Sequence, residues 1–197
     1  DYYINPQNVI TLSGFYAFEA EDQPSNTNVK KYQNNNQLNS EWNREEITTA
    51  DNPKYQYEFI YKRDFLGDDD HDLIFSATGN LFSKDQSSEF FNTNVLGSDA
   101  FDDQQTRTFF REAVHTFKFD YTYPFKELWK VEGGLQYANN DVSNDFEVRD
   151  DLAGLLVVNP GFTNIFEFTQ GVLGAYGMIA YESDTWGAQL GLRLENT

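Results

Sequence analysis

Residues 117–137 read FKFDYTYPFKELWKVEGGLQY. Phe117, Phe119, Tyr121 and Tyr123 alternate with Lys118, Asp120, Thr122 and Pro124. Period two puts the first set on one face of a β-strand and the second set on the other. Pro124 closes the run, because it brings no N–H to a ladder and belongs at strand ends or edges. Val131, Gly133, Leu135 and Tyr137 then alternate with Glu132, Gly134 and Gln136. Two alternating runs joined by a short turn predict an antiparallel hairpin. Near the turn the apolar face becomes aromatic, with Tyr121, Tyr123, Phe125 and Trp129. A membrane barrel places such a cluster where lipid meets water. An aromatic-rich soluble sheet is the alternative that this hairpin alone leaves standing.

The alternation recurs on both sides of the hairpin. Residues 8–19, 55–65, 73–82, 107–123, 131–141, 165–181 and 187–195 predict seven long antiparallel strands. The stretch LNSEWNREEITTA (38–50) reads as a polar continuation of the second strand in preference to a short helix. Residues 20–36, 83–106 and 142–164 are polar and without period, and predict long loops. Inside the last of these, apolar residues 152–158 suggest a short helix or a plug-like patch. The long loops alternate with short turns at 67–72, 124–128 and 182–186, as extracellular loops alternate with periplasmic turns in outer-membrane barrels.

The turns fix two further expectations. Phe65, Tyr123, Phe125, Trp129, Tyr181 and Trp186 flank the three short turns and predict one aromatic girdle at the periplasmic rim. A four-residue turn at 182–185 pairs Ile179 with Ala188, Gly177 with Leu190, Ala175 with Leu192 and Leu173 with Leu194. Gln189, Arg193 and Glu195 then point to a polar lumen. A one-residue slip would expose Arg193 to hydrocarbon at a cost of about 2–4 kcal/mol near the midplane.

Composition narrows the function classes. The 197 residues carry 14 Lys and Arg against 32 Asp and Glu, a net charge of −18. A nucleic-acid partner would call for a basic footprint, so none is expected. With no Cys, disulfides and thiolate chemistry are excluded. The 12 Tyr and 18 Phe are far too many for a disordered acidic chain. No apolar run approaches the roughly 18–20 residues of a membrane helix. The mean hydropathy of −0.65 still suits a barrel, half of whose strand residues face a polar lumen. Asp1 opens directly into YYINPQN, and the last strand breaks off at Thr197, so the chain reads as an internal stretch of a larger protein.

Four pieces resemble a known family: YQYEFIYKRDF (55–65), HTFKFDYTYPFKELWKVEGGLQY (115–137), NDFEV (144–148) and GAYGMIAYESDTWGAQLGLRLENT (174–197). In this order they resemble the barrel of TonB-dependent outer-membrane receptors, in the outer membrane protein beta-barrel branch. Gln136 stands where that branch usually has a basic residue. The resemblance implies one sector of a transmembrane barrel of about 22 strands in the bacterial outer membrane. It also implies a plug domain, a TonB-contacting segment and a C-terminal strand outside this stretch. Energised nutrient uptake is the expected function, with outer-membrane lipid, TonB and a surface lipoprotein or other outer-membrane subunits as partners. The first alternative is a non-transporting barrel subunit of a larger outer-membrane assembly. The second is a soluble aromatic-rich β-sandwich that binds glycans.

The chemistry-bearing residues are weighed against their structural roles. Asp68, Asp69, Asp70 and Asp72 lack the alternate spacing and closing Glu of a calcium loop, and read as a solvated turn. Asp141, Asp145 and Glu147, with Asp150 and Asp151, are weak calcium candidates in a surface loop. Tyr32, Trp42, Phe90 and Phe91 are weak substrate-binding candidates, as exposed aromatics in polar loops. Glu112 and His115 are spaced like a helical pair, but in a strand they face opposite sides. No nucleophile, base and acid share a motif spacing, so neither enzyme activity nor a cofactor is expected.

Overall fold

In the computed structural model, which describes residues 1–65, 70–126 and 128–197, the chain is one antiparallel sheet. The strands are Tyr2–Asn5 (β1), Asn8–Tyr32 (β2), Leu38–Asp64 (β3), Asp72–Leu96 (β4), Gln104–Pro124 (β5), Trp129–Asp151 (β6), Leu156–Val158 (β7), Asn164–Glu182 (β8) and Gly187–Asn196 (β9). They pair in chain order, except that the short β7 lies beside the tip of β6 while β8 takes the rest of that edge. Nine strands among the described residues replace the seven expected. The extra two are short and lack the length that makes alternation visible. The single sheet overturns the β-sandwich alternative, which needs two sheets packed face to face. Buried apolar side chains among the described residues are limited to Trp42, Ala50, Ala77 and Val148.

The register sorts the side chains into two faces. One row runs Leu12, Phe59, Ala77, Phe117, Tyr137, Leu173. Two residues along each strand, the row Ile10, Tyr61, Phe75, Phe119, Leu135, Ala175, Leu194 lies on the same face. The opposite face carries Lys118, Asp120, Glu132, Gln136, Gln189 and Arg193. Leu12, Leu190 and Leu192 stay 74%, 75% and 70% exposed. So large a contiguous apolar surface is matched by an apolar solvent, not by water.

From Trp129 to Tyr137 the apolar side of β6 runs about 27 Å along the strand. That length is enough to cross the roughly 25 Å apolar band of an outer-membrane barrel.

The three expected loops are the largest correction. Most of 20–36, 83–106 and 142–164 is strand, and β2 to β6 run far beyond the apolar band. Alternation is lost there because both faces meet polar surroundings, yet the ladder still pairs the backbone. Only 33–37, 97–103, 152–155 and 159–163 remain as connections at that end. The 152–158 stretch forms part of the β6–β7 tip and is not a helix. The polar 38–50 stretch is strand, as expected, and Pro53 explains a gap in its ladder. Without an N–H, Pro53 leaves the β3–β4 pairing interrupted between Asp51↔Asp85 and Lys54↔Phe82. Of the acidic turn, Asp68 and Asp69 lie outside the described residues.

The last hairpin is displaced by two residues from the expected register. Glu182 pairs with Gly187, Ile179 with Leu190, Gly177 with Leu192 and Ala175 with Leu194. Ser183 sets the turn: its N–H and its Oγ–H both donate to the Trp186 carbonyl, at 3.0 and 2.9 Å. A two-residue shift preserves the faces, so Leu190, Leu192 and Leu194 keep the apolar side. Leu192→Arg in the full-length protein is expected to lose about 2–4 kcal/mol in denaturant titrations in lipid vesicles. Gln189→Arg, on the opposite face, should change little.

Candidate functional site: the polar face and its long-strand end

The apolar face ends in aromatics at the short-turn rim. Phe65 stacks on His71 with centroids 4.1 Å apart, and His71 packs edge-on against Tyr121 and Tyr123 at 5.6 and 5.1 Å. His71 Nε2 also lies 2.9 Å from the Tyr121 hydroxyl. Trp129, Tyr181 and Trp186 form a second cluster, with centroids 4.9 and 4.8 Å apart. Phe125 packs instead beneath the Lys126 ammonium, 5.2 Å from its ring centroid. His71 has no place in the alternation of apolar residues, so hydrophobic periodicity passes it over.

The polar face holds a cross-strand network. Asp120, Gly134 and Tyr176 occupy one row on β5, β6 and β8. The Tyr176 ring lies over Gly134, and its hydroxyl donates to Asp120 on the strand beyond. A Cβ on Gly134 would come within 2.6 Å of both that ring and the Phe119 carbonyl oxygen. Lys118 pairs with Asp120 at 2.9 Å and stands 5.7 Å from the Tyr176 ring centroid. Arg193 pairs with Glu195 at 2.6 Å on the same face. These rows surround the position of Gln136.

At the long-strand end, the β4–β5 connection folds onto the polar-face side of β3. Asp99 accepts from Lys31 Nζ at 2.7 Å and from Ser40 Oγ at 2.9 Å. Phe101 meets Trp42 edge-on at 6.3 Å. Gly97 makes the bend at φ +76°, where a Cβ would lie 3.1 Å from that of Ser40. Val95 is an extra residue between the Glu41↔Leu96 and Trp42↔Asn94 pairs, a bulge that bends the strand toward the fold-over. The Lys31 ammonium, and then the Ser40 hydroxyl, hold the Asp99 carboxyl below the ordinary carboxylate range. On the opposite face Arg107 grips Asp85 with two nitrogens at 3.0 and 2.8 Å and lowers its carboxyl likewise.

These contacts relocate the residues placed in loops from the sequence. Trp42 lies in β3 and is 8% exposed, so it anchors a connection and presents no free ring. Phe90 lies in β4 beneath the Arg44 guanidinium, 4.1 Å away, while Phe91 points to the other face. Tyr32 ends β2 and is exposed. Asp141, Asp145 and Glu147 share one face of β6, not a loop, and Glu147 pairs with Arg149 at 2.7 Å. Among the described residues no group of three or more His, Cys, Asp or Glu side chains is placed to hold a metal ion. The arrangement sets an apolar band on one face of the sheet, charged residues on the other, and a connection leaning over the charged face.

Residues 63–197, more than half of the chain, match the family model described as outer membrane protein beta-barrel family. No curated protein matches the chain.

The Asp99 clamp has a defined pH window. A depressed carboxyl stabilises the folded connection above its ordinary value, and the contribution is lost as pH falls through the depressed one. With every tryptophan of the full-length protein except Trp42 replaced by Phe, Trp42 emission should hold steady down through the ordinary carboxylate range and shift only below it. Lys31→Ala should move that transition to higher pH; an unmoved transition would remove the clamp.

Proposed function

The chain belongs to the outer membrane protein beta-barrel family, and from that premise we propose that it is a wall sector of a TonB-dependent receptor. Its place is the bacterial outer membrane. The apolar face meets lipid, the polar face lines the lumen, and nutrient capture and passage, not catalysis, are its work. The short-turn rim, with the Phe65 and Trp129 clusters, is periplasmic. The long-strand end stands above the cell surface. The observation that carries this reading is the fold-over of residues 97–103 onto the polar-face side at the surface end, where a ligand enters. TonB and a plug domain contributed elsewhere in the protein would supply the energy coupling.

The height of the wall above the lipid favours a second reading. Strands that project this far into water offer a face to a surface lipoprotein or another outer-membrane subunit, and a non-transporting barrel subunit would use the same surface.

Cells carrying the full-length gene separate the two readings. A receptor should support growth on limiting nutrient mixtures only while TonB is present. Growth independent of both TonB and the gene would leave the subunit reading. On intact cells, cysteines at Asn94 and Ser143 should react with an impermeant thiol reagent, and one at Asp184 should not. The inverse pattern would invert the topology.

A further inference from the structure

Above the apolar band, the polar face carries a cluster of phenylalanines that the membrane account does not require. One row runs Phe82, Glu112, Val142, Phe168, and the next runs Lys84, Phe110, Asn144, Phe166. The rings of Phe82 and Phe110 lie 6.0 Å apart, and Phe166 and Phe168 remain 51% and 43% exposed. This face lines the lumen in the reading proposed above, so these rings face water and not lipid.

A carboxylate stands in their midst. Glu112 is flanked across the strands by Phe82 and Val142, and along its own strand by Phe110 and Val114. Among the described residues its side chain makes no ion pair and no hydrogen bond. Lys84, the nearest cation by register, is turned to Glu21 at 3.6 Å. The Oδ1 atoms of Asn140 and Asn144, on the same face of β6, are buried and likewise without a partner. The buried atoms left unpaired here are acceptors, and together with the Glu112 carboxylate they suit a donor; Lys54, beside Phe82 on the next strand, lies two strands from Glu112. Elsewhere on this face the chain already seats a cation on a ring, with Arg44 4.1 Å from the Phe90 centroid.

We propose that the phenylalanine cluster around Glu112 is a luminal subsite for an amphipathic organic cation, an apolar body bearing an ammonium or guanidinium group. The rings cover the apolar body and attract the charge through their faces. Glu112 and the asparagine oxygens receive its N–H groups, and an anion placed there would meet the Glu112 charge and the asparagine lone pairs. The proposal rests on the polar face being the lumen.

The test uses the full-length protein in detergent and two probes, N-acetyl-phenylalanyl-arginine amide and N-acetyl-phenylalanyl-glutamate amide, titrated by calorimetry. The wild type should bind the arginine probe and not the glutamate probe. Glu112→Gln and Phe110→Ala should each weaken that binding by about tenfold or more, while Glu112→Asp should retain more of it than Glu112→Gln. Binding of neither probe, as when another segment of the protein covers the cluster, would overturn the proposal. Equal binding of both, or undiminished binding by Glu112→Gln, would do the same. Should the variants fail to fold, the comparison of probes on the wild type still decides. TonB-dependent growth is scored separately, so absence of the subsite and absence of transport are distinguishable results.

Discussion

Hydrocarbon offers no hydrogen bonds, so every backbone N–H and C=O inside a membrane must be paired by the protein itself. The rest of this structure depends on that constraint. The sheet is a single layer whose cohesion comes from its ladders, with unbroken cross-strand pairing from Leu73↔Tyr121 through Val131↔Ile179 to Ile179↔Leu190. Side chains do not close over a core. Across the apolar band they sort largely by solvent, with Leu and most aromatic rings on one face and Lys, Asp, Glu and Gln on the other. Register is held by that sorting, because one step would reverse both faces at once.

The same device recurs on the two faces. On the polar face Tyr176 crosses Gly134 to reach Asp120. On the apolar face Tyr57 lies over Gly79, where a Cβ would fall within 2.1 Å of the ring, and its hydroxyl stands 2.9 Å from His115 Nδ1. In each case a glycine vacates a lattice point so that a tyrosine spans three strands and satisfies its hydroxyl. The Tyr57–His115 bridge lies near the upper border of the apolar band, opposite the rim where His71 meets Tyr121. Polar atoms on the lipid side are thus confined to the two borders, as amphipathic rings are in a membrane interface.

Alternation made the membrane-spanning parts legible. The hairpin 117–137, the separation of its faces and the sides of the turns were all readable, because lipid on one face and water on the other impose period two. The strand extensions were not readable by that means, since no face there needs to be apolar. A different signal was present. Residues 38–50 contain no Gly or Pro and read as strand, and a central strand must have its backbone groups paired on both edges. Its neighbours 20–32 and 83–96 were thereby committed to strand as well. Treating polarity and missing period as loop hid this, and with it the role of Trp42. That residue is an anchor because the chain folds back on it, a contact between distant segments that local pattern does not carry. The two-residue error in the last hairpin has a smaller cause: Ser183 closes the turn on the Trp186 carbonyl, and the alternation tolerates any even shift.

Nitroxide scanning of β6 in lipid vesicles, position by position from Trp129 to Asp151 in the full-length protein, tests the account most directly. Gly134, which has no room for a side chain, is left unlabelled; oxygen accessibility should peak at Val131, Gly133, Leu135 and Tyr137, and that of a polar nickel chelate at Glu132 and Gln136. Beyond Asn139 the oxygen maxima should vanish and the chelate should reach Asp145 and Glu147, while the strand pairing persists. Oxygen maxima on the even positions, or lipid exposure continuing to Glu147, would contradict a barrel wall that leaves the membrane halfway along its strands.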